Sequence, residues 1–297
     1  MRVAAARYVI GMPPDFEAFA AHQRHLLGEA AALGAQVAVL PEYLALELAA
    51  SSDDDVRGDT RASMAAVQRH RSAWLALFAG LARDTGMYIV AGSFLLDVGG
   101  GRYRNRSDLF APDGRHGWQD KLQLTGFETQ TGVIEPGDTL KVFDLGGVRA
   151  GIAICYDIEF PLPARKQWEA GARLLLVPSC TDTAAGATRV RVGCLARALE
   201  NRCFVVQSVT AGNASWTPIL DVNTGSAGLF APMDAGFPSD GVLVETGETD
   251  LWAIADLDVD ALEAARVDAQ VANDRDWVGQ ARPALARAVL ASFDSPA

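Results

Sequence analysis

The stretch "LKVFDLGGVRAGIAIC", residues 140–155, holds two apolar segments separated by a glycine pair. Glycines at 146 and 147 predict a tight turn, because glycine adopts the positive φ angles that hairpin turns require. The stretch is therefore predicted to form an antiparallel β-hairpin whose second strand ends at Cys155. "YDIEFP" (156–161) follows, so we expect a sharp strand-to-helix connection that presents the cysteine sulfur near backbone N–H groups.

A second hairpin is predicted upstream of this one. "MYIVAGSFLLD" (87–97) is rich in β-branched and aromatic residues and leads into a run of three glycines at 99–101. "RYRNRSDLF" (102–110) then has strand character and ends at a turn formed by residues 112–114. These two strands are expected to pair in antiparallel fashion.

The rest of the chain alternates helices with short buried strands. Helical spacing is seen at 15–33, before Gly86, at 162–170 and at 187–201, with strands predicted at 3–10, 37–43, 172–179 and 203–209. Hairpins mixed with helical crossovers favour an α+β sandwich with sheets inside and helices outside. No linker divides the chain, so residues 1–297 are predicted to form a single domain. From about residue 275 we expect either a tail that docks on a partner subunit or a locally packed terminus.

Composition narrows the function. The 297 residues are 49% hydrophobic, with 26 Lys and Arg against 37 Asp and Glu, for a net charge of −11. This charge repels phosphate backbones and anionic lipids, which argues against nucleic-acid and membrane roles. No run approaches the roughly 20 apolar residues of a membrane helix, and the N-terminal residues lack an export pattern. We therefore predict a cytoplasmic protein that acts on a small molecule.

The four cysteines show neither a CxxC pair nor metal-ligand spacing with histidine, so free thiols and no metal site are predicted. A lone cysteine is more often a small core residue than a nucleophile, and this suits Cys180, Cys194 and Cys203. Cys155 differs because its predicted strand stops there. It is the candidate nucleophile.

A nucleophilic thiol needs a neighbouring base or cation. His116, in the loop "DGRHGW" (113–118), is the one histidine predicted to lie in a loop where it could act as this base, so a Cys155–His116 pair is one hypothesis. A second hypothesis is that carboxylates and lysines at strand ends supply the base and the cation. Glu42 follows Leu-Pro, where partial desolvation raises the pKa of a carboxylate and makes it a better base. Lys121 stands in an apolar setting, and Glu128 follows an aromatic residue.

Three segments together resemble a known family. "LPEY" (40–43), "DKLQLTGFE" (120–128) and "AICYDIEFP" (153–161) resemble, in this order, the motif regions of the nitrilase superfamily of carbon-nitrogen hydrolases. The likeness extends to "EPGD" (135–138), "LLVPS" (175–179), "ARALENRCFVVQS" (196–208) and "GSAGLFAP" (225–232). It therefore covers nearly the whole chain.

The resemblance implies a four-layer α-β-β-α sandwich that pairs into a homodimer or higher homo-oligomer, and a Glu-Lys-Cys catalytic set. By motif position Glu42 would be the general base, Lys121 the cation that stabilises an oxyanion, and Cys155 the nucleophile. Glu128 would be the accessory glutamate, with Glu135 as a nearby competitor.

The resemblance also implies hydrolysis of a non-peptide carbon-nitrogen bond through a cysteine thioester, without metal or organic cofactor. An amide is favoured as substrate, because "CYDIEFP" lacks the Trp-Glu pair that true nitrilases commonly place after the cysteine. A carbamoyl amine or a nitrile would use the same site, and a non-catalytic binding protein of this fold is the alternative of another class. The family-guided pocket residues are Tyr43, Phe127, Tyr156, Cys180 and Thr181.

Overall fold

A computed structural model describes residues 1–267, 269–291 and 293, and shows two β-sheets packed face to face between layers of helices. The strands are β1 (Arg2–Val9), β2 (Val37–Val39), β3 (Tyr88–Gly99), β4 (Arg102–Phe110), β5 (His116–Asp120), β6 (Val142–Asp144), β7 (Arg149–Ile152), β8 (Leu174–Ser179), β9 (Phe204–Asn213), β10 (Val222–Asn223), β11 (Gly228–Phe230), β12 (Val242–Glu245) and β13 (Trp252–Asp256). The helices are α1 (Phe16–Ala32), α2 (Asp54–Arg57), α3 (Thr60–Val67), α4 (Arg71–Thr85), α5 (Gly126–Thr131), α6 (Pro161–Glu169), α7 (Ala184–Asn201), α8 (Val259–Ala264) and α9 (Asn273–Asp276). Short 3₁₀ helices span Leu44–Ser51, Gln68–His70, Cys155–Glu159, Trp277–Ala281 and Pro283–Leu285.

Strand β1 joins the two sheets. Its first part pairs with β2 in parallel and with β13 in antiparallel fashion, in a sheet that continues through β3, β4 and β5. Its last residues, Arg7–Val9, pair in parallel with β9, whose sheet continues through β8, β7 and β6. Strands β11 and β12 extend this second sheet, and β10 pairs with the end of β9.

Both predicted hairpins are confirmed. β3 pairs with β4 and β6 with β7 in antiparallel fashion. The turn of the second hairpin uses Gly146 and Gly147 at φ angles of 72° and 101°. The end of this hairpin differs from the prediction, because β7 stops at Ile152 and Cys155 begins a 3₁₀ helix instead. The predicted strand 37–43 is likewise shorter and ends at Val39.

The buried side chains show two sheets packed against each other, with a layer of helices on each outer face. Apolar side chains of both sheets, such as Val39 and Leu176, are fully buried between them. On the outer face of the first sheet, α1 and α4 bury Phe19, Trp74 and Phe78. Helix α7 covers the second sheet. The predicted α-β-β-α arrangement is therefore confirmed.

The C-terminal segment carries exposed apolar side chains. After α9 the described residues form only two 3₁₀ turns, and Val289, Leu290 and Phe293 are 85%, 99% and 103% exposed. The apolar residues at 281–293 have helical spacing, but the described residues after α9 include no α-helix, since a short helix without a packing surface is marginal in water. Docking of this tail on a second subunit stays a prediction. In the described part of the chain no helix combines the length and apolar character needed to cross a bilayer.

Candidate active site

Cys155 sits on a strained connection between β7 and α6. Its backbone φ is 49°, in the left-handed region that residues with a side chain rarely adopt. Such strain persists only where the surroundings enforce it, and it is frequent at functional sites. The conformation places the sulfur at the start of the 3₁₀ helix Cys155–Glu159, where backbone N–H groups have no partner within the helix.

Asp157 enforces this connection. Its buried carboxylate accepts hydrogen bonds from the backbone N–H groups of Leu122, Gln123 and Ile154, at 3.1, 2.7 and 3.1 Å. It thereby ties the segment after Lys121 to the segment that carries the thiol. Burial raises the pKa of Asp157 to about 7, although the Lys121 charge and the three N–H groups act in the opposite direction. Asp157 was not among the site residues predicted from the sequence. The feature that could have indicated it is an acidic residue within an otherwise buried turn.

Glu42 is fixed by a second tight connection, after β2. Tyr43 has a φ of 62°, and its N–H donates to the Ser93 hydroxyl at 2.8 Å. Strand β3 approaches this loop closely at Gly92, where a Cβ atom would lie 2.1 Å from the carbonyl oxygen of Pro41. Only glycine permits this approach, which sets the position of Glu42 relative to the first sheet.

The charged groups converge on one ammonium. Lys121 Nζ lies 2.8 Å from Glu42 Oε1 and 2.8 Å from Glu128 Oε2. The Asn105 amide bridges the two acids, donating to Glu42 Oε1 at 2.8 Å and to Glu128 Oε1 at 3.1 Å. The Tyr43 hydroxyl also donates to Glu128, at 2.6 Å. All three charged side chains are at most 1% exposed, so their interactions are little screened by solvent.

Helix α5 positions Glu128. Thr125 caps this helix, and its N–H donates to Glu128 Oε2 at 2.9 Å in a capping box. Glu135, the competitor considered from the sequence, lies elsewhere: it pairs with Arg104 at 2.9 Å and with Arg102 at 3.5 Å. The glutamate that reaches the lysine is therefore Glu128.

Burial and neighbouring charges shift the pKa values of this cluster. Burial raises the pKa of Glu42, and Lys121 only partly offsets this. Burial opposes ionisation of Glu128 as well, but Lys121 and several hydrogen bonds outweigh it, so its pKa is lowered. For Lys121 the penalty of burial is overcome by both glutamates, which hold its pKa well above the ordinary range. Burial and the Glu42 charge raise the pKa of the Cys155 thiol strongly. These shifts favour the neutral thiol over the thiolate.

A cavity of about 320 Å³ opens onto these groups. Cys155, Glu42 and Lys121 line it, and Cys155 Sγ donates to the Cys180 carbonyl oxygen at 3.4 Å. The pocket residues named from the sequence line it too: Tyr43, Phe127, Tyr156, Cys180 and Thr181. The cavity thus brings the candidate nucleophile, base and cation together.

These five wall residues differ in what they offer a ligand. The Tyr43 hydroxyl is committed to Glu128, and the Thr181 hydroxyl donates to the Thr224 carbonyl oxygen at 2.7 Å. Phe127, by contrast, is 42% exposed and presents its ring at the cavity. No group of metal-binding side chains is found among the residues that the structure describes.

His116 does not belong to the cavity. Its Nε2 lies 2.8 Å from Asp108 Oδ1, and the same carboxylate binds the Arg71 guanidinium at 2.5 and 2.8 Å. His116 begins β5, whereas Lys121 follows its end, so the two lie roughly 16 Å apart along the strand direction. The Cys155–His116 hypothesis is therefore wrong for this fold.

Comparison with known proteins agrees with the geometry. The family model described as carbon-nitrogen hydrolase matches residues 2–260. The chain belongs to this family. The family predicted from the motif order is thereby confirmed.

Individual relatives share about a third of their aligned residues with this chain. The chain is 32% identical over 280 residues to the probable hydrolase YhcX of Bacillus subtilis, which covers 93% of this chain and 53% of that protein. It is 32% identical over 181 residues to an (R)-stereoselective amidase of a Pseudomonas species, covering 60% of this chain and 61% of the amidase. The chain thus spans little more than half the length of these relatives.

A solved structure shares the fold. Nit3 of Saccharomyces cerevisiae, a member of branch 10 of the nitrilase superfamily, superposes with a TM-score of 0.72 at 22% identity. The superposition covers 93% of this chain and 96% of Nit3. At this identity the likeness concerns the fold alone.

Proposed function

We propose that the protein is an amidase that hydrolyses a small non-peptide amide through a thioester on Cys155. The observation that carries the proposal is the Lys121 ammonium, held 2.8 Å from both Glu42 and Glu128 in the cavity that Cys155 also lines. The similarity to the (R)-stereoselective amidase supports an amide as the class of substrate.

Acylation begins with the neutral thiol. Because burial holds the pKa of Cys155 high, attack requires a base that removes the proton as the carbon–sulfur bond forms. Glu42 has a pKa raised by burial, which makes it a stronger base than an ordinary carboxylate. The carbonyl π electrons move to oxygen and give a tetrahedral oxyanion.

The oxyanion has two donors within this geometry. The Lys121 ammonium supplies a charge at the cavity floor, and the Tyr156 N–H lies at the start of the 3₁₀ helix. Donors that are fixed before the reaction need no reorganisation as charge develops, and losing one donor typically costs about 10²–10³ in kcat. Glu128 and Asn105 hold Lys121 and Glu42 in place.

Breakdown completes the cycle. The protonated Glu42 delivers its proton to the amide nitrogen, the carbon–nitrogen bond breaks, and ammonia or an amine leaves. Glu42 then takes a proton from water, which attacks the thioester. The carbon–sulfur bond breaks as Glu42 returns this proton to the sulfur, so the acid is released and both the thiol and the carboxylate are restored. The reaction balances with water as the single co-substrate.

The test combines ammonia release with mass spectrometry. A panel of small primary amides, N-carbamoyl amines and nitriles is incubated with the wild-type protein, quenched in acid and digested. We expect ammonia release and an acyl mass on the Cys155 peptide, and loss of both in Cys155→Ala. Cys194→Ala is the matched control, since this buried thiol does not line the cavity.

Full turnover by Cys155→Ala would overturn the thioester mechanism. Absence of ammonia and of any adduct across the panel would favour the non-catalytic binding protein. Turnover confined to N-carbamoyl amines or to nitriles would move the proposal to those substrates, which begin with the same thiol attack.

A further inference from the structure

The mouth of the cavity carries more acid than base. Apart from the buried catalytic groups, it is lined by the acids Glu159, Asp182 and Asp221 and by one base, Arg189. These side chains take no part in the proposed chemistry. They line the same cavity as Cys155, so their charge bears on which substrates bind there.

The single base is already paired. Arg189 Nε lies 3.6 Å from Glu159 Oε1, so their charges largely offset each other at long range. Asp182 and Asp221 remain without such a partner among the lining residues, and both are exposed. The backbone N–H of Val222 donates to Asp221 Oδ1 at 2.8 Å, which orders this carboxylate on the cavity wall.

The buried charges of the catalytic groups do not change the net negative charge of the cavity. The Lys121 ammonium is enclosed between Glu42 and Glu128, so it is fully compensated at the cavity floor. Floor and mouth together contain five acids against two bases, and the whole chain has a net charge of −11. A cleft lined by one sign of charge focuses its field and concentrates ligands of opposite sign.

Apolar side chains line the cavity alongside these acids. Phe127, Pro218, Ile219 and Val222 line the same cavity. A ligand that matches this lining combines an amide for the thiol with a short apolar chain and a positive charge.

We infer that Asp182 and Asp221 select amide substrates that carry a cationic group, such as a primary ammonium, beyond a short apolar chain. This inference rests on the proposed amidase function. It adds a specificity that the catalytic cluster alone does not provide, because the cluster acts on the amide carbon of any substrate.

The substrate test uses three amides of equal chain length: hexanamide, 6-aminohexanamide and the monoamide of adipic acid. We expect kcat/KM to be roughly tenfold higher for the ammonium compound than for hexanamide, and lowest for the carboxylate. The preference should shrink in 0.5 M salt, because ions screen exposed charges.

Variants locate the source of this preference. Asp182→Asn with Asp221→Asn should lower kcat/KM for 6-aminohexanamide about fivefold and leave hexanamide within about twofold. Asp84→Asn is the matched control, an exposed acid on α4 that does not line the cavity. An unchanged preference in the double variant would overturn the inference. A preference for the carboxylate that is lost in Arg189→Gln would do so too, and would assign recognition to the arginine.

Thiol reagents separate this inference from the proposed function, because they need no turnover. Cationic and anionic methanethiosulfonates of similar size are compared for the rate at which they modify the Cys155 peptide. We expect faster modification by the cationic reagent and loss of the difference in the double variant. Equal rates in the wild type would contradict the inference. A charge preference without ammonia release from any amide would instead reject the amidase and keep the cation-selective cavity.

Discussion

Lys121 Nζ lies 2.8 Å from Glu42 Oε1, and both side chains are 1% exposed. Replacing this lysine by methionine keeps the volume but leaves Glu42 and Glu128 as neighbouring buried carboxylates. Breaking a buried ion pair by removing one partner typically costs about 3–5 kcal/mol. We expect Lys121→Met to lose stability of this order at pH 8 in urea unfolding, and to lose turnover as well.

The loss should shrink on acidification, because one of two adjacent carboxylates takes up a proton and removes the repulsion. Comparing pH 5.5 with pH 8 therefore tests the electrostatic cause. Lys166→Met is the matched control, since Lys166 is 65% exposed and pairs with Glu169 at the surface; its stability should change little. Equal stability of Lys121→Met and wild type at pH 8 would rule out a coupled buried cluster.

Glu42, Lys121 and Cys155 could be predicted because each lies in a short, distinctive segment that resembles a motif region of the family. Asn105 could not. In the sequence it sits inside an apparent strand and resembles a glycosylation acceptor, whereas the structure pairs it with Leu95 on β3 and directs its amide at both glutamates. That role depends on strand register, which brings together residues that are far apart in the chain.

The local structure around the thiol was predicted only in part. The apolar run up to Cys155 favours a strand as far as the cysteine, but β7 ends at Ile152. Asp157 accepts the Ile154 N–H, and this side-chain hydrogen bond competes with the strand ladder. The positive φ angles of Tyr43 and Cys155 depend on such tertiary constraints. They could not be predicted from the sequence, because tyrosine and cysteine do not favour positive φ.

Asp157 should act as a positioning residue. Asparagine at this site offers one acceptor oxygen and turns an amide toward at least one of the three N–H donors, so the segments of Lys121 and Cys155 lose their alignment. We expect Asp157→Asn to lower kcat about 10–100-fold with a smaller change in KM, as for displaced catalytic groups.

The matched control is Asp144→Asn, an exposed aspartate that accepts the Gly147 N–H at 2.6 Å in the β6–β7 turn. Its kinetics should match those of the wild type. If Asp157→Asn raised KM and left kcat unchanged, its role would lie in substrate binding rather than in the alignment of the two segments.

Replacing His116 by alanine should have little effect on turnover. Because its imidazole is bound to Asp108 and lies outside the cavity, His116→Ala should retain turnover within about threefold, even if some stability is lost. The Cys155→Ala variant, measured in the same ammonia assay, should be inactive. Equal losses in the two variants would revive a cysteine–histidine mechanism.

Glu47, on the 3₁₀ helix that follows Glu42, predicts a pH dependence of stability. Burial raises its pKa to about 7, although the Tyr8 hydroxyl and the Gly11 N–H donate to it, each at 2.5 Å. A carboxyl whose pKa is raised on folding stabilises the folded state fully below its ordinary pKa, and this stabilisation is lost as pH rises through the folded value. The window therefore runs from about pH 4.3 to pH 7, and the loss is on the order of 3 kcal/mol.

Glu47→Gln resembles the protonated carboxyl and should remove this contribution. The wild-type free energy of unfolding should fall relative to the variant between pH 5 and pH 7, measured by urea unfolding at fixed ionic strength. Glu248→Gln, at an exposed position, is the matched control and should follow the wild-type curve. Parallel curves for wild type and Glu47→Gln would show that Glu47 titrates at its ordinary pKa. Asp157, whose pKa is also raised to about 7, contributes equally to both proteins and cancels in the difference.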